Sequence, residues 1–189
     1  MANVQDTGFR PFGLLDGGDV PVRRFPIAAA SGVAMFIGDL VSVVNTGTVT
    51  PSTAADGYKV VGVVVGIRDA NGVPCGSPGS LTSSKYLAVS TAGFADVALA
   101  TPDALFVANA GSTGLLEVDR FIAMDHVATA GSTTTAKSGH VLDSGTKTNL
   151  QCTVIDLLDA PNNEWGAYAS VVVRFSESYW NCATLVTPT

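Results

Sequence analysis

The sequence has few of the side chains that usually carry chemistry. Its 189 residues include two histidines and three cysteines, and only 14% of them are charged, against about a quarter in a typical soluble domain. No Gly-x-Ser-x-Gly nucleophile motif, Gly-x-x-x-x-Gly-Lys phosphate loop or Gly-x-Gly-x-x-Gly motif occurs. We therefore expect that the protein is not an enzyme and that it uses no cofactor.

The side chains that bind metals are sparse and scattered. The cysteines are odd in number and lack Cys-x-x-Cys spacing, which argues against a disulfide framework or a zinc cluster; they are Cys75, Cys152 and Cys182. We place His126 near a strand end, at a rim, and His140 at the end of a polar loop. A metal or hydrolytic site in which both histidines meet an Asp remains an alternative. Residues 69–72 (DANG) lack the oxygen series of a calcium loop and indicate a turn.

The charge distribution excludes some partners. The net charge is −6 and the sequence pI is about 4.6, and Arg23-Arg24 is the only adjacent basic pair, so no basic stripe is available to neutralise phosphates. No apolar run approaches the roughly 18 residues that a membrane helix needs. The N-terminal MANVQDTGF does not look like a signal peptide. We expect no nucleic acid or membrane partner, and synthesis in a cytoplasm.

The remaining composition favours an all-β fold. Ala and Val dominate the apolar residues, and 20 glycines with many Thr and Ser favour strands and turns. Residues 38–44 (GDLVSVV) and the Val-rich 60–69 (VVGVVVGIRD) predict strands, and Asn71-Gly72 predicts a type I′ hairpin turn. We expect long polar loops at 131–140 and 143–149, and at most single helical turns at 101–105 and 154–159. Short strands at this spacing indicate a small β-barrel or β-sandwich.

The N-terminal segment differs from the rest of the chain in composition and periodicity. Residues 1–26 contain Gly and Pro punctuation, two Phe and a Leu pair without a clear period, which predicts an extended N-terminal arm. Residues 27–189 are then a single β-rich domain. The alternative, that this segment is a strand and loop covering one end of its own core, remains open.

The order of several segments resembles a known family. PFGLL (11–15), GDLVSVV (38–44), VVGVVVG (60–66), TPDALF (101–106) and NNEWGAYASVVVRFSES (162–178) occur in the same order as matching elements of small virion structural proteins of tailed bacteriophages, the capsid decoration or cement proteins. Thr101 stands where that family usually has Asp, and FSES (175–178) where related chains tend to have Asn-Glu-His. If those positions touch the capsid, the contact chemistry differs here.

The resemblance implies a virion protein on the outside of the phage head, made in the host cytoplasm. It would bind the major capsid protein lattice, stabilise the expanded head, and form a homo-oligomer, with a trimer favoured. We predict two sets of contact residues. The capsid contacts are Phe9, Arg10, Phe12, Leu14 and Leu15, and the contacts between copies are Tyr179 and Trp180.

Two other functions remain as alternatives. A head–tail connector or tail structural protein has the same general composition but few copies per particle. A glycan-binding module on the virion surface would use aromatic side chains as a sugar platform. The aromatic candidates for that platform are Trp165, Tyr168, Tyr179 and Trp180.

Overall fold

The computed structural model describes residues 8–27, 31–44, 47–53, 60–145 and 151–181. Within these ranges the chain is all-β, and its only helical element is a 3₁₀ turn at Glu117–Asp119. No helix in the described part is long and apolar enough to cross a membrane. The strands are β1 (Arg10–Leu14), β2 (Val22–Ile27), β3 (Leu40–Val43), β4 (Val49–Pro51), β5 (Val60–Asp69), β6 (Gly93–Leu99), β7 (Ala104–Asn109), β8 (Ala123–Ser132), β9 (Lys137–Asp143), β10 (Cys152–Leu157) and β11 (Ser170–Phe175).

Five strands close into a barrel in the order β2-β4-β3-β5-β6. Strand β2 closes the barrel because it pairs antiparallel with β6 and parallel with β4 through Ile27 and Val49. The remaining six strands form a sheet in the order β1-β7-β11-β10-β8-β9. That sheet curls, since its last strand comes back toward β7 through a bridge between Ala110 and Leu142.

Strand β5 belongs to the cores on both sides of the barrel wall. Val61, Val64 and Ile67 pack among the buried residues of the barrel strands. Val60 and Val63 pack with Phe106 and Val173 and other residues of the curled sheet. A strand that is buried on both faces has no polar face to alternate with, which explains the unbroken apolar run at 60–65. The barrel and the sheet therefore share a common core.

The predicted arm, residues 1–26, is described from Gly8 onward, and that part forms strands. Residues 10–14 are β1, which pairs antiparallel with β7. Strand β2, which begins at Val22, is one of the five strands of the barrel and pairs with β6. Both pairings join the described part of this segment to other strands of the chain. The first seven residues lie outside the described ranges.

Three local predictions are wrong. Asn71 does not have a positive φ whereas Gly72 has φ +80°, so the turn is type I with a left-handed glycine after it, not type I′. Residues 131–140, expected as a loop, belong to the β8–β9 hairpin. Residues 154–159, expected as a helical turn, begin within β10. Residues 101–105, by contrast, do contain a single turn, in which the Ala104 N–H donates to the Thr101 oxygen, before the chain enters β7.

Gly62 offers a test of the close approach between β5 and β6. A methyl group at Gly62 would lie 1.9 Å from the backbone oxygen of Ala98, and this oxygen cannot move without shifting the sheet. We expect Gly62→Ala to lower the free energy of unfolding by roughly 1–3 kcal/mol, as overpacking does. Urea denaturation measures the change.

Gly32→Ala is the matched control, because a methyl group there meets no atom within 4 Å. Equal stability of the two variants would contradict the close packing of β5 against β6.

Candidate functional site

The five predicted capsid contacts divide between core and surface. Phe9 is 3% exposed and packs against the rings of His126 and Phe175, and Leu14 packs on the same core. Arg10, Phe12 and Leu15 are exposed, with Phe12 at 56% and Leu15 at 60%. Phe9 and Leu14 therefore have structural roles within the chain, and Phe12 and Leu15 are the apolar side chains free to meet a partner.

Tyr179 and Trp180 lie together at the start of β5. Their rings meet edge to face with 5.6 Å between centroids, and both side chains are exposed. The backbone N–H of Tyr179 donates to the oxygen of Val60 at 2.8 Å, and Trp180 Nε1–H donates to the oxygen of Val61 at 2.9 Å. The pair is therefore fixed against the barrel while its outer faces remain open to solvent.

The other two aromatic candidates have a different setting. Trp165 is half-buried, packs on the shared core and has the Arg120 guanidinium 5.7 Å from its ring centroid. Tyr168 is half-buried in the loop before β11. Because Tyr179 and Trp180 bond to β5 instead, these contacts do not describe a single four-ring platform.

Sequence reasoning missed an exposed apolar segment between β7 and β8. Leu116, Val118 and Phe121 are 65%, 79% and 70% exposed, and Ile122 is 38% exposed. Phe121 also has φ +63°, a conformation that a bulky residue rarely adopts, and its N–H donates to Val154. The signal in the sequence is the run LLEVDRFIAM (115–124), whose apolar residues fit neither strand alternation nor a long helix.

The two histidines are buried, which corrects their predicted places at a rim and in a loop. His126 lies in β8 and His140 in β9, with exposures of 0% and 3%, and their rings stack at 5.4 Å between centroids. The ring nitrogens of His126 face the side-chain oxygen of Gln151 and the backbone oxygen of Ser52. Gln151 Nε2 donates to Thr53, which orients the amide oxygen of Gln151 toward His126.

His140 meets the barrel at Asp39 and Leu40. The backbone N–H of Leu40 donates to His140 Nδ1 at 3.2 Å, so in the neutral ring the proton is on Nε2. That Nε2 lies 3.7 Å from Asp39 Oδ1, which is beyond hydrogen-bond distance. The other carboxylate oxygen of Asp39 accepts the N–H of Phe36 at 2.7 Å. Asp39 Oδ1 is buried without a hydrogen-bond partner.

Burial shifts the pKa of both partners toward their neutral forms. It raises the pKa of Asp39 from 3.8 to about 6, against the opposing effects of the Ser138 hydroxyl and the Phe36 N–H. It lowers the pKa of His140 from 6.5 to about 3, with the charge of His126 as a second cause. At neutral pH His140 is therefore uncharged beside a mostly ionised Asp39.

Asp39 and His140 line a cavity of about 400 Å³ between the barrel and the β8–β9 hairpin. Phe36 and Ser52 are buried parts of its wall, and Val33 and Val89 are exposed parts with 52% and 51% exposure. The lining is thus largely apolar, with a polar pair at one place.

The carboxylate of Asp69 has a structural role in the turn after β5. The carboxylate of Asp69 accepts four hydrogen bonds, from the N–H groups of Asn71, Val73 and Leu81 and from the Ser80 hydroxyl. The Leu81 N–H is the largest of the effects that lower its pKa. These bonds match the turn interpretation of residues 69–72.

Within the described residues, no group of three or more His, Cys, Asp or Glu side chains is placed to hold a metal ion. Cys75 and Cys152 are free thiols, and Cys182 lies outside the described ranges. No protein-family model matches the chain, and comparison with curated proteins and with solved structures also finds no match.

The Asp39–His140 pair predicts a specific pH dependence of stability. The pKa of Asp39 is higher in the folded protein than in the unfolded chain, so its contribution to the free energy of unfolding falls as pH rises from about 4 to 6. The pKa of His140 is lower in the folded protein, so its contribution rises between about pH 3 and 6.5. The two effects oppose each other in the wild type. The Asp39→Asn variant keeps only the His140 effect. Between pH 4 and 6 the free energy of unfolding of the variant should therefore rise more steeply than that of the wild type, by about 1 kcal/mol per pH unit.

Urea unfolding of both proteins at several pH values measures this slope difference. Parallel pH profiles for the wild type and Asp39→Asn would show that Asp39 titrates in the folded protein as it does in the unfolded chain.

Proposed function

We propose that this protein is a phage capsid decoration protein that binds the outer surface of the major capsid protein lattice and stabilises the expanded head. The observation that carries the proposal is the exposure of Phe12, in an end strand of the six-stranded sheet, and of Leu15, the residue that follows this strand. Large apolar side chains that are held outward are available to be buried against another protein. The order of the sequence segments supplies the identity of the partner.

Strand β1 is suited to hold such a contact. Leu14 and the preceding Phe9 pack on the core, so Phe12 and Leu15 are presented without the cost of ordering a free arm. Each large apolar side chain that becomes fully buried contributes about 1.5–3 kcal/mol. On a symmetric lattice, linked copies of a modest contact add to high avidity.

The low content of charged residues agrees with a surface that is partly covered by other proteins. Only 14% of the residues are charged and the net charge is −6, and β1 contributes a single charged residue, Arg10. Protein interfaces are depleted in charged residues at their centres. A decoration protein also has no catalytic task, so a stable scaffold with contact surfaces suffices.

We expect Phe12→Ser with Leu15→Ser to weaken binding to heads by roughly 100-fold or more, because two apolar anchors are lost. Stability should change little, since both side chains are exposed. Co-sedimentation with expanded heads that lack the protein gives the affinity. Leu81→Ser is the matched control, as Leu81 is 68% exposed in the loop between β5 and β6.

Two results would count against the proposal in different ways. Wild-type protein that fails to sediment with heads, or that mass spectrometry finds at about a dozen copies per virion, favours the head–tail connector over decoration. If the wild type and the double variant bind heads equally well, the decoration function stands, but Phe12 and Leu15 are not the capsid contact.

We further propose that copies associate as a trimer through Tyr179 and Trp180. Trp180→Ala should convert the oligomer to monomers in light scattering. The carbonyl of Val61 also accepts the N–H of Ala100, so β5 keeps a hydrogen-bond partner there and the fold should persist. An unchanged mass for Trp180→Ala, measured beside Leu81→Ser, would remove this contact from the interface.

A further inference from the structure

A second cavity, of about 280 Å³, lies on the outer wall of the barrel, where β5 meets the loop that joins it to β6. Ile67 packs inside the barrel, so the next residue, Arg68, faces outward by strand alternation. Arg68 and Asp96 line the cavity from the strands, and Ser77 and Lys85 line it from the loop. Its wall therefore contains two cations, one carboxylate and one hydroxyl group.

The carboxylate of Asp96 is shared by two arginines. Its Oδ1 accepts the Arg24 Nε–H at 2.9 Å, and its Oδ2 accepts the Arg68 Nε–H at 2.8 Å. Arg24 belongs to β2, which pairs with β6 on the side opposite to β5. Because Arg24 also balances the charge of Asp96, the Arg68 guanidinium is not fully compensated at the cavity.

The cations of the cavity keep donors that the chain does not use. Arg68 Nη1 donates to the oxygen of Gly72 at 3.2 Å, whereas its Nη2 has no hydrogen-bond partner among the described residues. In the same described part of the chain, the Lys85 ammonium and the Ser77 hydroxyl also have none. The oxygens of Asp69, the residue after Arg68, are taken by four donors of the turn and loop. Unused donors therefore face the cavity without an unused carboxylate to accept from them.

A phosphate group supplies the acceptors that this wall lacks. Arg presents a planar fork of N–H donors that suits phosphate oxygens, and Lys binds phosphate as a point charge. The three or more acceptor oxygens of a phosphate group allow separate contacts with a guanidinium, an ammonium and a hydroxyl group. The Arg68 side chain is 29% exposed and Lys85 is exposed, so a dissolved ion can reach both.

We propose that this cavity is a binding site for a phosphate group, which Arg68 and Lys85 hold and the Ser77 hydroxyl contacts. The volume of about 280 Å³ is several times the roughly 30 Å³ of a water molecule, so a free phosphate ion or the phosphate group of a small ester fits. The site lies on the barrel, away from Phe12 and Leu15, and it does not depend on the proposed capsid function.

Inorganic phosphate and phenyl phosphate are suitable probes because they share the phosphate group and differ in the attached body. Titrations at constant ionic strength in sodium chloride, followed by amide NMR, measure both dissociation constants. We expect saturable shifts that include the N–H groups of Gly76, Ser77 and Lys85, which line the cavity. Acetate should bind more weakly, since it has only two oxygens. Tighter binding of phenyl phosphate identifies an ester as the ligand, and equal binding of the two identifies the free ion.

Lys85→Gln should weaken the binding of inorganic phosphate roughly tenfold, because a hydrogen bond between charged groups is lost. Lys85 is exposed, so the fold should be unaffected. Arg174→Gln is the matched control: it also removes one positive charge from an exposed side chain, but in β11 of the curled sheet. Phosphate should bind this control as tightly as it binds the wild type.

Three results would overturn the proposal. The absence of saturable shifts with either phosphate probe would mean that water alone solvates these cations. Equal affinities of the Lys85→Gln and Arg174→Gln variants would mean that phosphate responds only to the net charge of the protein. Binding of acetate as tight as that of phosphate would mean that the site does not select a phosphate group.

Discussion

The burial of both faces of β5 is the constraint on which the rest of the structure depends. Val61 and Val64 fill the barrel, and Val60 and Val63 contribute to the core shared with the curled sheet. A one-residue slip of this strand would exchange the two sets. Both faces would then have to repack, so the register of β5 also fixes how the barrel meets the sheet. Gly62 allows this arrangement because β6 approaches too closely for any side chain.

A polar network completes the junction where apolar packing ends. Leu40 and Asp39 come from the barrel side, while His126 and His140 come from the β8–β9 hairpin. Gln151 links His126 to the segment after β4. Directional bonds of this kind select one alignment between two layers, whereas apolar contacts alone tolerate several. The hairpin is therefore held in one position over the barrel.

The sequence was sufficient for the all-β class because strand-forming Val runs and Gly punctuation are local signals. It predicted the Val-rich strand at 60–69 and the strand at 38–44 for the same reason. It failed on the β8–β9 hairpin, since GSTTTAKSGH has the small polar residues of a loop, and the burial of Ser138 and His140 in the folded chain cannot be read from residue type.

Residue type and spacing were also insufficient to predict the candidate sites. Residue type identified the apolar side chains of residues 9–15, but not that Phe9 and Leu14 pack on the core while Phe12 and Leu15 are exposed. A register shift between Pro11 and Gly13 interrupts the pairing of β1, so simple alternation from its first residue does not give the facing. The meeting of Asp39 with His140 spans about a hundred residues of sequence, and no spacing rule links positions that far apart.

The Asp39–His140 pair is a costly way to align the two layers. Two apolar side chains of similar volume would pack the junction without the desolvation cost that Asp39 and His140 carry, and such replacements are often neutral or stabilising in other proteins. A hydrogen bond between the pair would recover part of that cost, yet 3.7 Å separates Nε2 from Oδ1. Asp39 is compensated instead by the Phe36 N–H on its other oxygen and by the Ser138 hydroxyl, both of which oppose the effect of burial on its pKa. The pair therefore favours one alignment of the hairpin over the barrel at a cost in stability that apolar packing would not carry.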